Sequence, residues 1–201
     1  EDILSMKKNL GERPCMGEYK RMRDEKERKE REHAYNNLEI TKKYKKEFPK
    51  GTPLVCACEK GRMEDVEGLI RGASATGMDV KGMVNEEGKD SNGTSGWTPL
   101  MIAAYYGHTT IVSYLLNHPE VDPAITTADG WNALHWAAYN NKTDTNTVQL
   151  LLNKMQLKDI NHKDKDGDTP LDLCYEFNKS SIKQQLIDLI RQKGGKRASE
   201  L

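Results

Sequence analysis

An all-α solenoid is the architecture implied by this 201-residue chain: four stacked helix-turn-helix repeats with hairpin loops between them, preceded by a long charged helix. Three observations carry that expectation. A short anchor recurs as Thr52-Pro53-Leu54, Thr98-Pro99-Leu100, Asn132-Ala133-Leu134-His135 and Thr169-Pro170-Leu171, at spacings of 46, 34 and 37 residues. At one fixed offset after each anchor stand Ala57-Cys58, Ala103-Ala104, Ala137-Ala138 and Cys174-Tyr175. An apolar, helix-spaced run comes next: Val66 with Leu69 and Ile70, residues 111–116, residues 148–152, and Ile182 with Leu186 and Ile187. A period that returns with the same residues implies units that bury each other's faces.

Each element follows from local chemistry. Residues 1–16 form an N-terminal extension whose order the sequence does not reveal. Residues 17–48 read as a charged helix. Its first half, 18–32, is almost free of apolar residues and pairs Asp24 with Arg28, Glu25 with Lys29 and Glu27 with Arg31 at a spacing of four. Such acid-before-base pairs stabilise an exposed helix by a few tenths of a kcal/mol each. Its second half sets Ile40, Tyr44 and Phe48 on one stripe, joined by Leu38, and is expected to pack on the first repeat. As one continuous helix the 32 residues would reach about 48 Å.

The repeats occupy 49–191. Thr caps the start of each first helix and Pro is tolerated in its first turn. Paired Ala or Cys brings neighbouring helices close, and Gly61 and Gly107 end first helices. The 46-residue spacing places one insertion within 72–96, where six glycines suggest a flexible or hairpin-like segment. A smaller bulge is expected at 140–145. The ends of a solenoid must be polar, and Asp65 and Gly68 in the first unit and Lys183 and Gln185 in the last replace apolar positions. The array therefore reads as complete at four units, ended by Gly194-Gly195 and followed by a basic tail, 192–201.

At these residues the sequence resembles the ankyrin repeat family, whose 33-residue unit carries a T-P-L-H-x-A signature. Asp159-Ile160-Asn161, residues 163–167 and Thr169-Pro170-Leu171 are similar to the family's loop and hairpin, and Gly107-His108 to its Gly-His after the first helix. The motif histidine survives only as His135; Val55, Met101 and Asp172 stand in its place elsewhere. The resemblance implies a non-catalytic protein-protein interaction module or adaptor, with partners met at the hairpin tips and the exposed end of the first helix. Position by position, those are Gly51, Trp97, Trp131 and Asp168 before the anchor, and Glu59-Lys60, Tyr105-Tyr106, Tyr139-Asn140 and Glu176-Phe177 after the small pair.

Aromatics gather there. Of 13 in the chain, seven lie between Trp97 and Tyr139, so the concave contact set is expected to be Trp97, Tyr105, Tyr106, Trp131, Tyr139 and Asn140. Trp97 and Trp131 have an alternative use in bracing neighbouring hairpins. Trp136 and Tyr114 fall inside the periodic pattern and read as core. Asp129, Asp166, Asp168 and Glu176 would supply an acidic rim that selects a protein with a basic surface.

Other chemistries are excluded or weakly supported. Cys56 and Cys58 have no second pair to complete a zinc site, and with Cys174 they occupy small packing positions. Around Gly167, a calcium loop would need His162 first and Leu173 twelfth, where a bidentate Glu belongs. No H-E-x-x-H and no Gly-rich phosphate loop appears, so neither enzymatic activity nor a cofactor, metal or small-molecule substrate is expected. Lys42, Lys43, Lys45 and Lys46, and Lys193, Lys196 and Arg197, read as solvated faces; Arg197 and Ser199 weakly suit a basophilic kinase.

Hydrophobic residues make up 36% and charged ones 31%, and mean hydropathy is −0.82. The longest apolar stretch, 100–106, is far short of the roughly 18 residues of a membrane span. No secretory signal is visible, although the sequence begins at Glu1. Four cysteines are too few for a disulfide scaffold and suggest a reducing, intracellular compartment, cytoplasm or nucleus. Net charge is zero, with an excess of basic residues in 1–50 and 191–201 and of acidic ones in 51–190, which disfavours nucleic acid on the body. A structural subunit of a large multiprotein assembly, docked through the N-terminal helix, is the alternative function. A regulatory partner of an enzyme would use the same surface.

Overall fold

The computed structural model describes residues 16–140 and 144–201. The N-terminal extension, apart from Met16, and the centre of the expected 140–145 bulge lie outside those residues. Helices α1 (Met16–Asn36) and α2 (Glu39–Glu47) precede the repeats. The repeats pair α3 (Pro53–Glu59) with α4 (Met63–Thr76), α6 (Pro99–Tyr105) with α7 (Thr109–Asn117), α8 (Ala133–Tyr139) with α9 (Thr145–Lys154), and α11 (Pro170–Phe177) with α12 (Lys183–Gln192). A short helix α5 (Val80–Asn85) and strands β1 (Gly88–Lys89) and β2 (Ser95–Trp97) fill the insertion, and α10 (Leu157–Ile160) leads into the last repeat.

The first helices α3, α6, α8 and α11 pack in sequence, and α7, α9 and α12 form a second layer against one another. Small side chains permit that approach: Ala57, Cys58, Ala103, Ala104, Ala137 and Ala138 are all fully buried. Leu69, Leu115, Leu151 and Leu186 of the second helices fill the space between layers. The anchors cap as their chemistry requires. Thr98 Oγ1 accepts from Met101 N at 3.2 Å, and Asn132 and Thr169 form capping boxes with His135 and Asp172. Thr52 departs from this, because its hydroxyl accepts instead from Lys89 N at 2.9 Å and ties α3 to the insertion hairpin.

Hydrogen bonds between units set their register. His108 Nε2 lies 2.9 Å from the Glu59 carbonyl oxygen. Lys165 N donates to Asp129 O at 3.0 Å, joining the last two hairpins. Thr109 Oγ1 reaches both Asp144 carboxylate oxygens at 3.1 Å and Thr147 Oγ1 at 2.7 Å.

The charged N-terminal segment differs from the expected single helix. It breaks at Asn37-Leu38, where Leu38 is extended at φ −61°, ψ 138°. The two halves bury different surfaces: α1 runs along α4 and buries Tyr35, whereas α2 turns to cover α3 and α4 and buries Thr41 and Tyr44. A straight helix would carry the apolar stripe of α2 past the repeat it covers.

That packing also revises the role of the first unit's odd residues. A Cβ at Gly68 would lie 3.0 Å from Ile40 Cδ1, and one at Gly72 would lie 2.5 Å from Leu38 Cδ1. Asp65 accepts from Lys43 Nζ at 2.9 Å and Tyr44 Oη at 2.8 Å. These positions seat α2 instead of facing water. The insertion is likewise built: α4 stops at Gly77 (φ 71°), and Asn85 of α5 binds Glu120 O at 2.6 Å and Asp122 N at 2.8 Å.

The tail, expected as a solvated basic face, is docked. Arg197 Nε donates to Asp172 Oδ1 at 2.7 Å, and Ala198 N donates to Asp172 Oδ2 at 2.7 Å. Arg191 clasps Glu200 through two nitrogens at 2.9 and 3.2 Å. Thr169 Oγ1 donates to Lys196 O at 2.8 Å, as Asn132 Nδ2 does to Asp159 O at 2.9 Å one repeat earlier. The tail thus lies where an inter-repeat loop would.

Candidate functional site

The residues just before each anchor and at the end of each first helix are brought together on the hairpin side of the stack. Trp97 enters from β2 and Trp131 from the next hairpin, and between them the α8 side chain of Trp136 rises to meet both, with ring centroids 4.5 Å from each. Tyr105, at the end of α6, stands 5.5 Å from Trp97 and edge-on to Trp136 at 5.7 Å. Tyr106 extends the series at 5.0 Å from Tyr105. In the other direction Tyr139 lies 5.4 Å from Trp131, and Phe177 lies 5.5 Å from Tyr139. The result is an unbroken row of seven rings across three repeats. Most are half-buried, while Tyr139 and Phe177 are 36% and 45% exposed.

Two members escaped the sequence-based contact set. Phe177 is the homologue of Tyr106 in the last unit, and its offset was the available signal. Trp136 read as core because it is in register with Ile102 and Leu173, which are buried. An indole is too large for that slot, and the excess spreads onto the surface between Trp97 and Trp131. The Nε1 atoms of Trp97 and Trp136 are covered and meet no hydrogen-bond acceptor among the described residues.

Asn140 is the reverse case. It is buried and serves the stack: its side-chain Nδ2 donates to the Tyr105 backbone carbonyl, while its backbone carbonyl accepts from Asn178 Nδ2 at 3.0 Å. Asn178 Nδ2 also reaches Ala138 O at 2.9 Å. Asn140 is therefore a brace between helix ends and does not present a contact surface.

Charge differs between the ends of the row. On the first repeat Glu59 is buried and bound by Lys60 Nζ at 2.8 Å and by Ser91 N and Oγ at 2.7 and 2.8 Å. Burial raises its pKa, but these donors outweigh it and hold the carboxylate below its usual range. Toward the last repeat the acids are less matched. Asp129, on the hairpin of the third repeat, is exposed, 3.7 Å from Lys165, and Glu176 of the last repeat is 3.6 Å from Arg197. Asp168 pairs with no cation among the described residues, and its pKa is raised by partial burial and by the carboxylates of Asp164, Glu176, Asp172 and Asp166.

The histidine of the third anchor and the cysteines of the repeats are enclosed in the stack. His135 is fully buried, and burial lowers its pKa to about 4. Cys56, Cys58 and Cys174 are buried free thiols, all raised by burial, Cys56 to about 12 and Cys174 to about 11. Among the described residues no cluster of three potential ligands could hold a metal ion, and no helix is long and apolar enough to cross a membrane.

A profile of three tandem ankyrin repeats matches residues 32–126, 63–156 and 119–194. The chain belongs to the ankyrin repeat family. Ankyrin repeats are in general non-catalytic protein-protein interaction modules. An ankyrin repeat-containing protein of Schizosaccharomyces pombe is 34% identical over 107 residues, which are 52% of this chain and 40% of that protein. Ankyrin repeat and SAM domain-containing protein 6 of Mus musculus is 34% identical over 100 residues, 50% of this chain and 10% of its own length. A probable serine/threonine-protein kinase of Dictyostelium discoideum is 28% identical over 120 residues, 60% of this chain and 13% of the kinase. The chain thus spans less than half the length of these curated relatives. Within the ankyrin framework, the aromatic row occupies the hairpin ends and first-helix ends.

Proposed function

We propose that this ankyrin array is a non-catalytic adaptor that holds a partner protein on its concave, hairpin-side face, across the row from Tyr106 to Phe177. The observation that carries the reading is the continuity of that row, with ring contacts passing through three repeats and an accessible end at Tyr139 and Phe177. Trp and Tyr give large contact area at small entropic cost. The covered indole donors add support, since a surface tuned only for its own stability pairs such groups, and departures from that rule collect at functional places. Buried free thiols favour a reducing, intracellular compartment.

The alternative, a structural subunit docked through α1, has less support. Several charges on α1 are already paired within the helix, as in Lys29–Glu25 at 2.9 Å and Arg31–Glu27 at 3.3 Å. Capture from native lysate separates the two readings, using wild type, a Tyr139→Ser/Phe177→Ser variant and an Arg21→Glu/Lys26→Glu variant as baits. Partners lost with the face variant and kept with the helix variant are expected. The opposite pattern would transfer the function to α1.

A further inference from the structure

The row is asymmetric, and the asymmetry bears on what lies along it. At the first repeat the buried carboxylate of Glu59 is already saturated by Lys60 and Ser91. At the last repeat Asp168 has no cationic partner among the described residues, and Glu176 shares the Arg197 guanidinium with Asp172. Asp168 takes the place in its repeat that Trp131 takes in the one before, and Glu176 that of Tyr139. The hairpins bearing Trp131 and Asp168 lie side by side, joined by Lys165 N to Asp129 O. Under-neutralised carboxylates therefore occupy, in the last repeat, the positions that hold Trp131 and Tyr139 one repeat earlier, with Glu176 next in sequence to the exposed Phe177.

Rings beside carboxylates favour a cation on two counts. The ring face attracts it through its quadrupole, and the carboxylates supply the counter-charge. The protein uses this chemistry elsewhere, as where Arg197 lies 5.1 Å from the centre of the Tyr175 ring while its nitrogens bind Asp172 and Glu176. Resting on the aromatic-face reading, we propose that the occupant is an extended peptide segment with a lysine or arginine held at the Tyr139–Phe177 end by Asp168 and Glu176. Its neighbouring apolar side chains lie on Trp131, Trp136 and Trp97. The cation is placed toward the fourth repeat because Glu59, at the end of the first helix of the first repeat, is already held by Lys60 and Ser91.

The test is selection from a displayed library of random nonapeptides, on wild type, on Asp168→Asn/Glu176→Gln and on Tyr139→Ser/Phe177→Ser. Wild type should enrich peptides with Lys or Arg at one fixed distance from an apolar pair. The amide variant should lose the cation preference, keep the apolar one and bind a wild-type-selected peptide roughly tenfold more weakly. Enrichment indifferent to basic residues, or unaltered in the amide variant, overturns the cation assignment and leaves the aromatic face standing. Peptides that bind the Tyr139→Ser/Phe177→Ser protein as well as wild type overturn both readings.

Discussion

His135 shows how one anchor residue makes the stack respond to acid. Its Nδ1 accepts from Asn132 N at 3.2 Å and closes the capping box of α8, so the imidazole is needed in its neutral form. Burial lowers its pKa from 6.5 to about 4. The unfolded chain binds a proton in that interval and the folded chain does not, so stability falls as the pH drops from about 6.5 to 4 and this contribution levels off below. At about 1.4 kcal/mol per unit the full loss is about 3 kcal/mol. Urea denaturation across this window should show that slope in wild type and a flatter one in His135→Gln. Equal slopes would exclude His135 as the source. Such detail is partly visible in sequence, since the Asn-Ala-Leu-His anchor announces the box. The exchanged roles of Asn140 and Trp136 are not, because they depend on what the neighbouring repeats place alongside.

The helix pair α1–α2 shows where local pattern stops being informative. The stripe of Ile40, Tyr44 and Phe48 and the ion-pair spacing of the first half were both legible, and both halves are helical. The break was not, because neither Asn37 nor Leu38 forbids a helix; it arises from Leu38 reaching the cleft left by Gly72 of α4. For the same reason Asp65 and Gly68 read as a polar end, and Gly72 as the start of a flexible insertion, when they are seats for the Leu38–α2 segment. Helix α5 was hidden by its three flanking and internal glycines, Gly77, Gly82 and Gly88, and is fixed by Asp79 capping Gly82 N at 3.0 Å. The seat makes a signed prediction. Gly72→Ala should be close to neutral, because about 1 kcal/mol of helix propensity offsets a contact with the flexible end of Leu38. Gly72→Leu overpacks the cleft and should destabilise by about 1 to 3 kcal/mol. Thermal denaturation of the two variants checks the order, and a stable Gly72→Leu protein would mean that α2 is not seated there.

Both ends of the array are covered by segments outside the repeats, α1–α2 at one side and the docked tail at the other, and the terminal repeats gain stability from them. In a solenoid each unit senses only its neighbours, so loss of a cover should be felt locally. At the tail, Asp172 is buried; burial raises its pKa, but Ala198 N–H, Arg197 and Thr169 outweigh that and hold the carboxylate below its usual range. Arg197→Ala removes the charged partner and leaves two backbone donors, Thr169 N and Ala198 N, with the Thr169 hydroxyl shared between Asp172 Oδ2 and Lys196 O. Losing the charged partner of a buried carboxylate is destabilising, and the half-exposed guanidinium and the remaining donors limit the loss. Hydrogen exchange should then lose protection in α11 and α12 and keep it in α3 and α6. Gly72→Leu should give the mirror image, and the two losses in global stability should add, because the sites share no partner. Uniform loss of protection from either substitution would mean that the repeats unfold as one unit and that the covers act on the array as a whole.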